Sequence, residues 1–109
     1  MEGVFEVYRD KEGEHRFRLK APNAEIILAS EGYSSKAMCL NGIESVKKNA
    51  VVLERFEAYE DADGKHRFRL RAANYEIIGV SEAYESEANR QDGIESVKRW
   101  APAAEIKEL

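Results

Sequence analysis

Gly42-Ile43-Glu44-Ser45-Val46-Lys47 returns unchanged as Gly93-Ile94-Glu95-Ser96-Val97-Lys98, an offset of 51 residues (93 less 42). The same offset relates Phe5 to Phe56, Gly13 to Gly64, Tyr33 to Tyr84 and Ala50 to Ala101. No insertion separates these markers, so the chain is one supersecondary unit written twice. At 109 residues the whole chain suits one compact domain. A half, about 50 residues, lies near the lower limit for independent folding. The expectation is therefore a single merged domain over residues 1–109, repeat one spanning 1–54 and repeat two 55–109.

Working outward, the stretch before each helix motif alternates. His15, Phe17, Leu19 and Ala21 interleave with Arg16, Arg18 and Lys20. The copy sets His66, Phe68, Leu70 and Ala72 against Arg67, Arg69 and Arg71. A period of two predicts a strand with an apolar face toward the core and a basic face away from it. Phe5 to Tyr8 and Phe56 to Tyr59 alternate likewise. Asp10 to Gly13, and Asp61 to Gly64, then supply a hairpin turn whose Gly can take positive φ. Pro22-Asn23 and Ala73-Asn74 make a second turn. A third strand is expected at Glu25 to Ser30, copied at Glu76 to Ser81. It is apolar on both parities, which predicts burial on both faces or an exposed apolar strip.

Ser35 and Ser86 are positioned as helix N-caps. Ala37, Leu40, Ile43 and Val46 form one apolar stripe, broken in repeat two by Gln91. Lys47 and Lys48 complement the dipole at the helix end. Gly42 and Gly93 fall mid-helix, where Gly costs roughly 1 kcal/mol relative to Ala, so close packing on the sheet is expected there. Pro102 stops the second helix. A short strand is expected after each helix, at Val51 to Glu54 and at Ala104 to Lys107. Each unit then reads β-β-β-α-β.

Phe-Glu-x-Tyr, Gly-x-x-Arg-Phe-Arg-Leu, Glu-Ile-Ile, Ser-Glu-x-Tyr and Gly-Ile-x-Ser-Val-Lys together resemble the YegP-like family. These are small bacterial proteins that carry a domain of unknown function singly or in tandem. The resemblance covers nearly the whole chain, twice. It implies an α+β fold: two β(3)-α-β units in one antiparallel sheet, both helices on one face, and the final strand of each unit swapped onto the other. It implies no activity, substrate or catalytic residue. The family pattern has Gly after the turn Asn, where this chain has Ala24 and Tyr75.

The net charge of −4 is uneven. Residues 1–50 hold eight basic and eight acidic side chains, residues 51–109 nine and thirteen. This balance does not favour a strongly basic nucleic-acid protein. The single cysteine, Cys39, excludes an internal disulfide framework. Its counterpart is Arg90, so no function shared by the repeats depends on it, and a small helix-borne filler is expected. No basic-then-apolar leader and no membrane-length apolar run occur. A cytoplasmic location without membrane association is the expectation.

The candidate binding residues are Tyr8, Arg16, Arg18 and Lys20 with their copies Tyr59, Arg67, Arg69 and Arg71. Arginines interleaved with aromatic rings on an open sheet can bind single-stranded nucleic acid. The structural alternative is favoured. A three-residue hairpin loop sets Tyr8 opposite Arg16 and Glu6 opposite Arg18, giving a cation–π pair and an ion pair; Tyr59 with Arg67 and Glu57 with Arg69 repeat them. His15 and His66 lack a third ligand at metal spacing, and a half-buried structural role is expected. Ser30-Glu31 with Tyr33, and Ser81-Glu82 with Tyr84, lack an oriented base, and loop hydrogen bonding explains them more simply.

No catalytic residue, cofactor or metal site is therefore assigned. The expectation is a monomer with pseudo-twofold symmetry, acting as a non-enzymatic binding or interaction module through its open sheet face. A protein partner fits that reading. Single-stranded nucleic acid is the alternative and is not favoured. A small-molecule site at the seam between the repeats is a third reading, and it predicts a concavity lined from both halves.

Overall fold

The computed structural model describes residues 2–109. Its strands are β1 (Val4–Arg9), β2 (His15–Lys20), β3 (Ile26–Ala29), β4 (Phe56–Glu60), β5 (His66–Arg71), β6 (Ile77–Val80) and β7 (Glu105–Glu108). Its helices are α1 (Lys36–Asn49) and α2 (Glu87–Trp100). Short 3-10 turns at Leu53–Arg55 and Ala101–Ala103 come after them. The hairpin register is the one the sequence predicts: Tyr8 faces Arg16, Glu6 faces Arg18, Tyr59 faces Arg67 and Glu57 faces Arg69. Asp10 N–H donates to the Glu14 carbonyl (2.9 Å) and Gly13 closes the loop with φ +80°.

All seven strands form one sheet in the order β4-β5-β6-β3-β2-β1-β7. The first six form two equivalent antiparallel triplets, joined at the centre through the pair Ala29 and Val80. Phe5, Phe17, Leu19, Leu28, Ile43 and Val46 share a core with Phe68, Leu70, Ile94 and Val97, so both repeats contribute to it. Both helices cover this apolar face.

Three expectations are corrected. The sheet is mixed, because β7 lies parallel to β1. Strand exchange runs one way only: β7 crosses to repeat one, while Val51 to Glu54 forms no strand. The reason is arithmetic. The counterparts of Glu105 to Glu108 are Glu54 to Glu57, and the last two of these already begin β4. The helix stripe is also displaced. Ala37 is exposed, and the buried positions are Cys39, Gly42, Ile43 and Val46, a true helical period. Leu40 packs half-buried at the margin of this stripe, and its counterpart Gln91 is exposed, so repeat two lacks that contact.

The apolar third strand is explained by a bulge. Leu19 pairs with Leu28 and Lys20 with Ile26, so Ile27 is an extra residue, and both Ile27 and Leu28 join the core. Ile78 repeats the device between Gly79 and Ile77. Ser35 and Ser86 cap the helices, each hydroxyl accepting a backbone N–H three residues on. The mid-helix glycines are close-packing sites. A Cβ on Gly42 would lie 2.6 Å from the Tyr33 hydroxyl and 3.1 Å from the Phe17 ring. Tyr84 and Phe68 surround Gly93 in the same way.

Candidate functional site on the uncovered sheet face

Alternation along β2 and β5 sends Phe17, Leu19, Phe68 and Leu70 under the helices. It sends Arg16, Arg18, Lys20, Arg67, Arg69 and Arg71 to the opposite face, together with Tyr8 and Tyr59. All eight candidate residues therefore lie on one side of the sheet, and all are half-buried.

Each cation on this face already has a carboxylate. Arg16 Nε donates to Asp10 at 2.6 Å, and Arg67 Nε to Asp61 at 2.7 Å. Glu6 takes Arg18 at 2.7 Å and Lys20 at 3.3 Å. Glu57 takes Arg69 and Arg71, each at 3.2 Å. One detail of the expectation changes. The guanidinium over Tyr8 is that of Arg18, 4.7 Å from the ring centre, and Arg69 sits 3.9 Å over Tyr59. Arg16 and Arg67 instead lean to the turn aspartates, because Asp10 and Asp61 offer a charged acceptor next to the strand.

Those aspartates have two tasks. Asp10 Oδ1 accepts from the backbone N–H groups of Glu12 and Glu14, shaping the loop, while Oδ2 holds Arg16. The Arg16 guanidinium holds the Asp10 carboxyl below its ordinary range, and Arg67 does the same for Asp61. Arg18, then Lys20, lowers Glu6. The turn aspartates were not among the candidate residues. Their signal was present: Asp and Arg recur six residues apart across both hairpins.

At the centre, residues of both repeats line an open depression of about 530 Å³. Arg16, Ser30 and Glu31 face Arg67, Ser81 and Glu82 there. Its lining comes from both halves, as a small-molecule site at the seam would require. Arg16 and Arg67 each also donate to a backbone carbonyl, of Ser30 (3.3 Å) and Ser81 (3.2 Å). The serines are structural. Ser30 Oγ accepts from Phe17 N–H (2.9 Å) and donates to the Glu31 carbonyl (2.8 Å), which commits its proton to the backbone. Ser81 repeats both bonds.

Tyr33 and Tyr84 stack on Phe17 and Phe68 on the helix side of the sheet. Burial pushes both phenols above their usual range. The supposed hydroxyl cluster is thus divided between the two faces. His15 and His66 stand on β2 and β5, three strand spacings apart, and at opposite ends of the sheet because these two strands run antiparallel. They do not meet. Among the described residues, no three His, Cys, Asp or Glu side chains gather as a metal ion would need. Cys39 is fully buried, and burial raises its thiol. Its counterpart Arg90 reaches the Tyr59 carbonyl (3.2 Å). No helix is long and apolar enough to cross a membrane among the described residues.

Comparison with known proteins places this geometry in context. The model of a domain of unknown function, DUF1508, matches twice, at residues 10–57 and 61–108. A UPF0339 protein encoded in the region 5′ of the ptx operon of Stutzerimonas stutzeri is 54% identical over 109 residues, covering 100% of this chain and 98% of that protein. The UPF0339 protein YegP of Escherichia coli O157:H7 is 43% identical over 108 residues, covering 99% of this chain and 98% of its own length. The solution structure of E. coli YegP, described as a protein of unknown function, superposes with a TM-score of 0.94 at 42% identity, covering 99% and 93% of the two chains. That of a UPF0339 protein from Shewanella oneidensis gives 0.93 at 40% identity, covering 100% and 92%.

Proposed function

The chain belongs to the DUF1508 family, and from that premise we propose that it is a non-enzymatic binding module that engages a protein partner through its uncovered sheet face. One observation carries this reading. The six cations of the face are held in ion pairs, and two of them, Arg16 and Arg67, line a polar depression that crosses the repeat boundary. Long side chains that are already ordered lose little freedom on binding, so such a face is preorganised. Its interspersed charges suit the mixed polar surface of another protein.

The nucleic-acid alternative is weakened by the same contacts. The guanidinium groups that would meet phosphates each hold a carboxylate. Tyr8 and Tyr59, which would stack on bases, each have a guanidinium on one ring face. A small polar ligand in the central depression is the second reading, supported by the lining of Arg16 and Arg67 from the two repeats.

A photo-crosslinking residue placed at Lys20 or Arg71 tests the sheet face, with Glu44 on α1 as the helix-side control. The expected result is a defined adduct from the sheet-face positions alone, lost in the double variant Arg16→Glu, Arg67→Glu. Equal adducts from both faces would defeat the proposal. In parallel, amide shifts are recorded with a short mixed-sequence single-stranded oligonucleotide and with inorganic phosphate. Salt-sensitive shifts around Tyr8 and Tyr59 with the oligonucleotide would replace it by nucleic-acid binding. Shifts limited to Arg16, Ser30, Arg67 and Ser81 with phosphate would replace it by the small-ligand reading.

A further inference from the structure

The two outer edges of the sheet are built from equivalent sequence and finished differently. On the β1 side, β7 lies parallel to β1 and hydrogen-bonds it: Glu105 N–H donates to the Gly3 carbonyl (3.3 Å) and Leu109 N–H to the Val7 carbonyl (2.9 Å). Ile106 sits beside Phe5, and Lys107 sits beside Glu6. Under this cover Phe5 and Val7 are buried. On the other side, β4 is outermost. Phe56 is half-buried and Ala58 exposed, although they are the counterparts of Phe5 and Val7.

The end of this edge is open as well. Trp100 closes the start of β1, where a Cβ on Gly3 would fall 2.9 Å from its Cβ. The counterpart of Trp100 is the smaller Asn49. A depression of about 350 Å³ lies at the start of β4, lined by Val52, Arg55, Arg71 and Tyr75. Leu53 and Val51 are exposed close by in the chain.

Charge then selects the occupant. Glu54, Glu60 and Asp63 lie along the edge and its hairpin with Arg55 as the one nearby cation in the segment, while Glu57 and Asp61 there already hold Arg69, Arg71 and Arg67. Two copies of so acidic an edge would repel each other. A basic strand would not.

We propose that β4 is a docking edge for an extended segment of a partner protein, alternating apolar and basic residues, which adds parallel to β4 as β7 adds to β1. By the β1–β7 register, its apolar residue lies beside Phe56 and its basic residue beside Glu57. Backbone bonds supply affinity, and the acidic rim supplies selection. This surface is distinct from the Arg/Tyr face, and the inference stands without it.

The test is an amide-shift titration of the intact chain. The probe is a seven-residue peptide copying Ala103 to Leu109 with E105K and E108K, and the unsubstituted peptide is its comparison. Shifts confined to Glu54 to Glu60 are expected, with the acidic parent binding about tenfold more weakly. In β1, Val7 turns its carbonyl outward to β7, so the equivalent Ala58 turns its N–H and carbonyl away from β5. A58P therefore removes a docking donor and spares the β4–β5 ladder, and should abolish the shifts. E54K with E60K, at exposed positions, should reverse the preference between the two peptides. Shifts at β1 and β7, equal binding of both peptides, or no binding would overturn the proposal. Concentration-dependent dimerisation of the free chain that A58P abolishes would also overturn it, by making a second copy the occupant.

Discussion

β1 and β4 share Phe-Glu-x-Tyr, and each pairs antiparallel with the second strand of its repeat, yet Phe5 is wholly buried and Phe56 is not. The difference arises in the segment after each helix. Beyond α2 the chain is free to run back along β1. Beyond α1 the equivalent residues must already serve as the start of β4. A tandem chain therefore has residues for one closing strand, and one edge of the shared sheet goes without. Local sequence determines which residues face the core, and the neighbouring strand determines how much of that face is dry.

The largest test of this contrast is a matched pair of truncations. Phe5→Ala should destabilise the fold by about 3–5 kcal/mol, as expected for a fully buried ring. Phe56→Ala, at a site that water already reaches, should lose about 1–2 kcal/mol. Urea unfolding of both variants measures the gap. Equal losses would mean that β7 adds nothing to the burial of the β1 edge.

The centre of the sheet offers a second, slightly smaller contrast. Leu28 and Gly79 are counterparts, and one fills the space the other leaves. A Cβ on Gly79 would lie 2.6 Å from both the Cγ and a Cδ of Leu28. Two leucines do not fit at the pseudo-twofold. Gly79→Leu should therefore cost about 2–3 kcal/mol through overpacking. Adding Leu28→Gly should recover most of that loss, although Leu28→Gly alone is strongly destabilising. The double-mutant cycle reads this coupling directly. Additive losses would show that the two sites do not share one space.

Much of this was legible in the sequence because it is local. The period of two in His15 to Lys20 fixed the faces, and Asp10 to Gly13 fixed the hairpin register, hence the cross-strand pairing of Glu6 with Arg18. Ser35 and Ser86 announced their helices. The features that escaped depend on geometry between elements. The double apolar parity of Ile27 and Leu28 is a bulge, which a strict alternation rule cannot represent. The guanidinium of Arg16 left Tyr8 for Asp10 because a loop carboxylate lay within reach, and register alone does not reveal that. The absent closing strand after α1 required noticing that one stretch had two duties. The candidate face was found as a set of residues, but its ion-pair partners at the turns and the depression between the repeats emerged only from the packed sheet.

The acidic partners give the third contrast, at roughly 1 kcal/mol. Glu6 is buried between Arg18, Lys20 and the β7 strand, whereas the side chain of Glu57 is 47% exposed. Glu6→Gln should cost roughly 1 kcal/mol at neutral pH, and Glu57→Gln within about 0.5 kcal/mol. The pH dependence has a definite sign. The folded pKa of Glu6 is lowered by its cations, so its contribution is full above the unfolded carboxylate range, about 4.3. It disappears as pH falls through the lowered folded value. The Glu6→Gln penalty should accordingly shrink toward zero in acid, and unfolding curves from neutral pH to about pH 3 measure it. A penalty that persists in acid would assign Glu6 a role independent of its charge.

The smallest effect concerns two turns that should behave alike. Ala24 and Tyr75 both hold φ +71°, a left-handed conformation that disfavours any residue with a Cβ. Both come after an Asn whose side chain accepts the N–H two residues on, and both donate their own N–H back to an alanine carbonyl, of Ala21 and Ala72. The backbone is thus held in place by the same bonds whatever the side chain. Glycine relieves the steric strain but gives the unfolded chain more freedom, so the net gain is modest. Ala24→Gly and Tyr75→Gly should each stabilise by about 0.5–1 kcal/mol, a rise in Tm of roughly 3–6 °C. Pro22 stiffens the first turn where the second has Ala73, and Tyr75 is 78% exposed, so neither side chain has packing to lose. Equal gains would show that the strain belongs to the backbone alone. A loss confined to Tyr75→Gly would show instead that this ring, at the rim of the depression beside β4, contributes to the open edge and is retained there despite its strain.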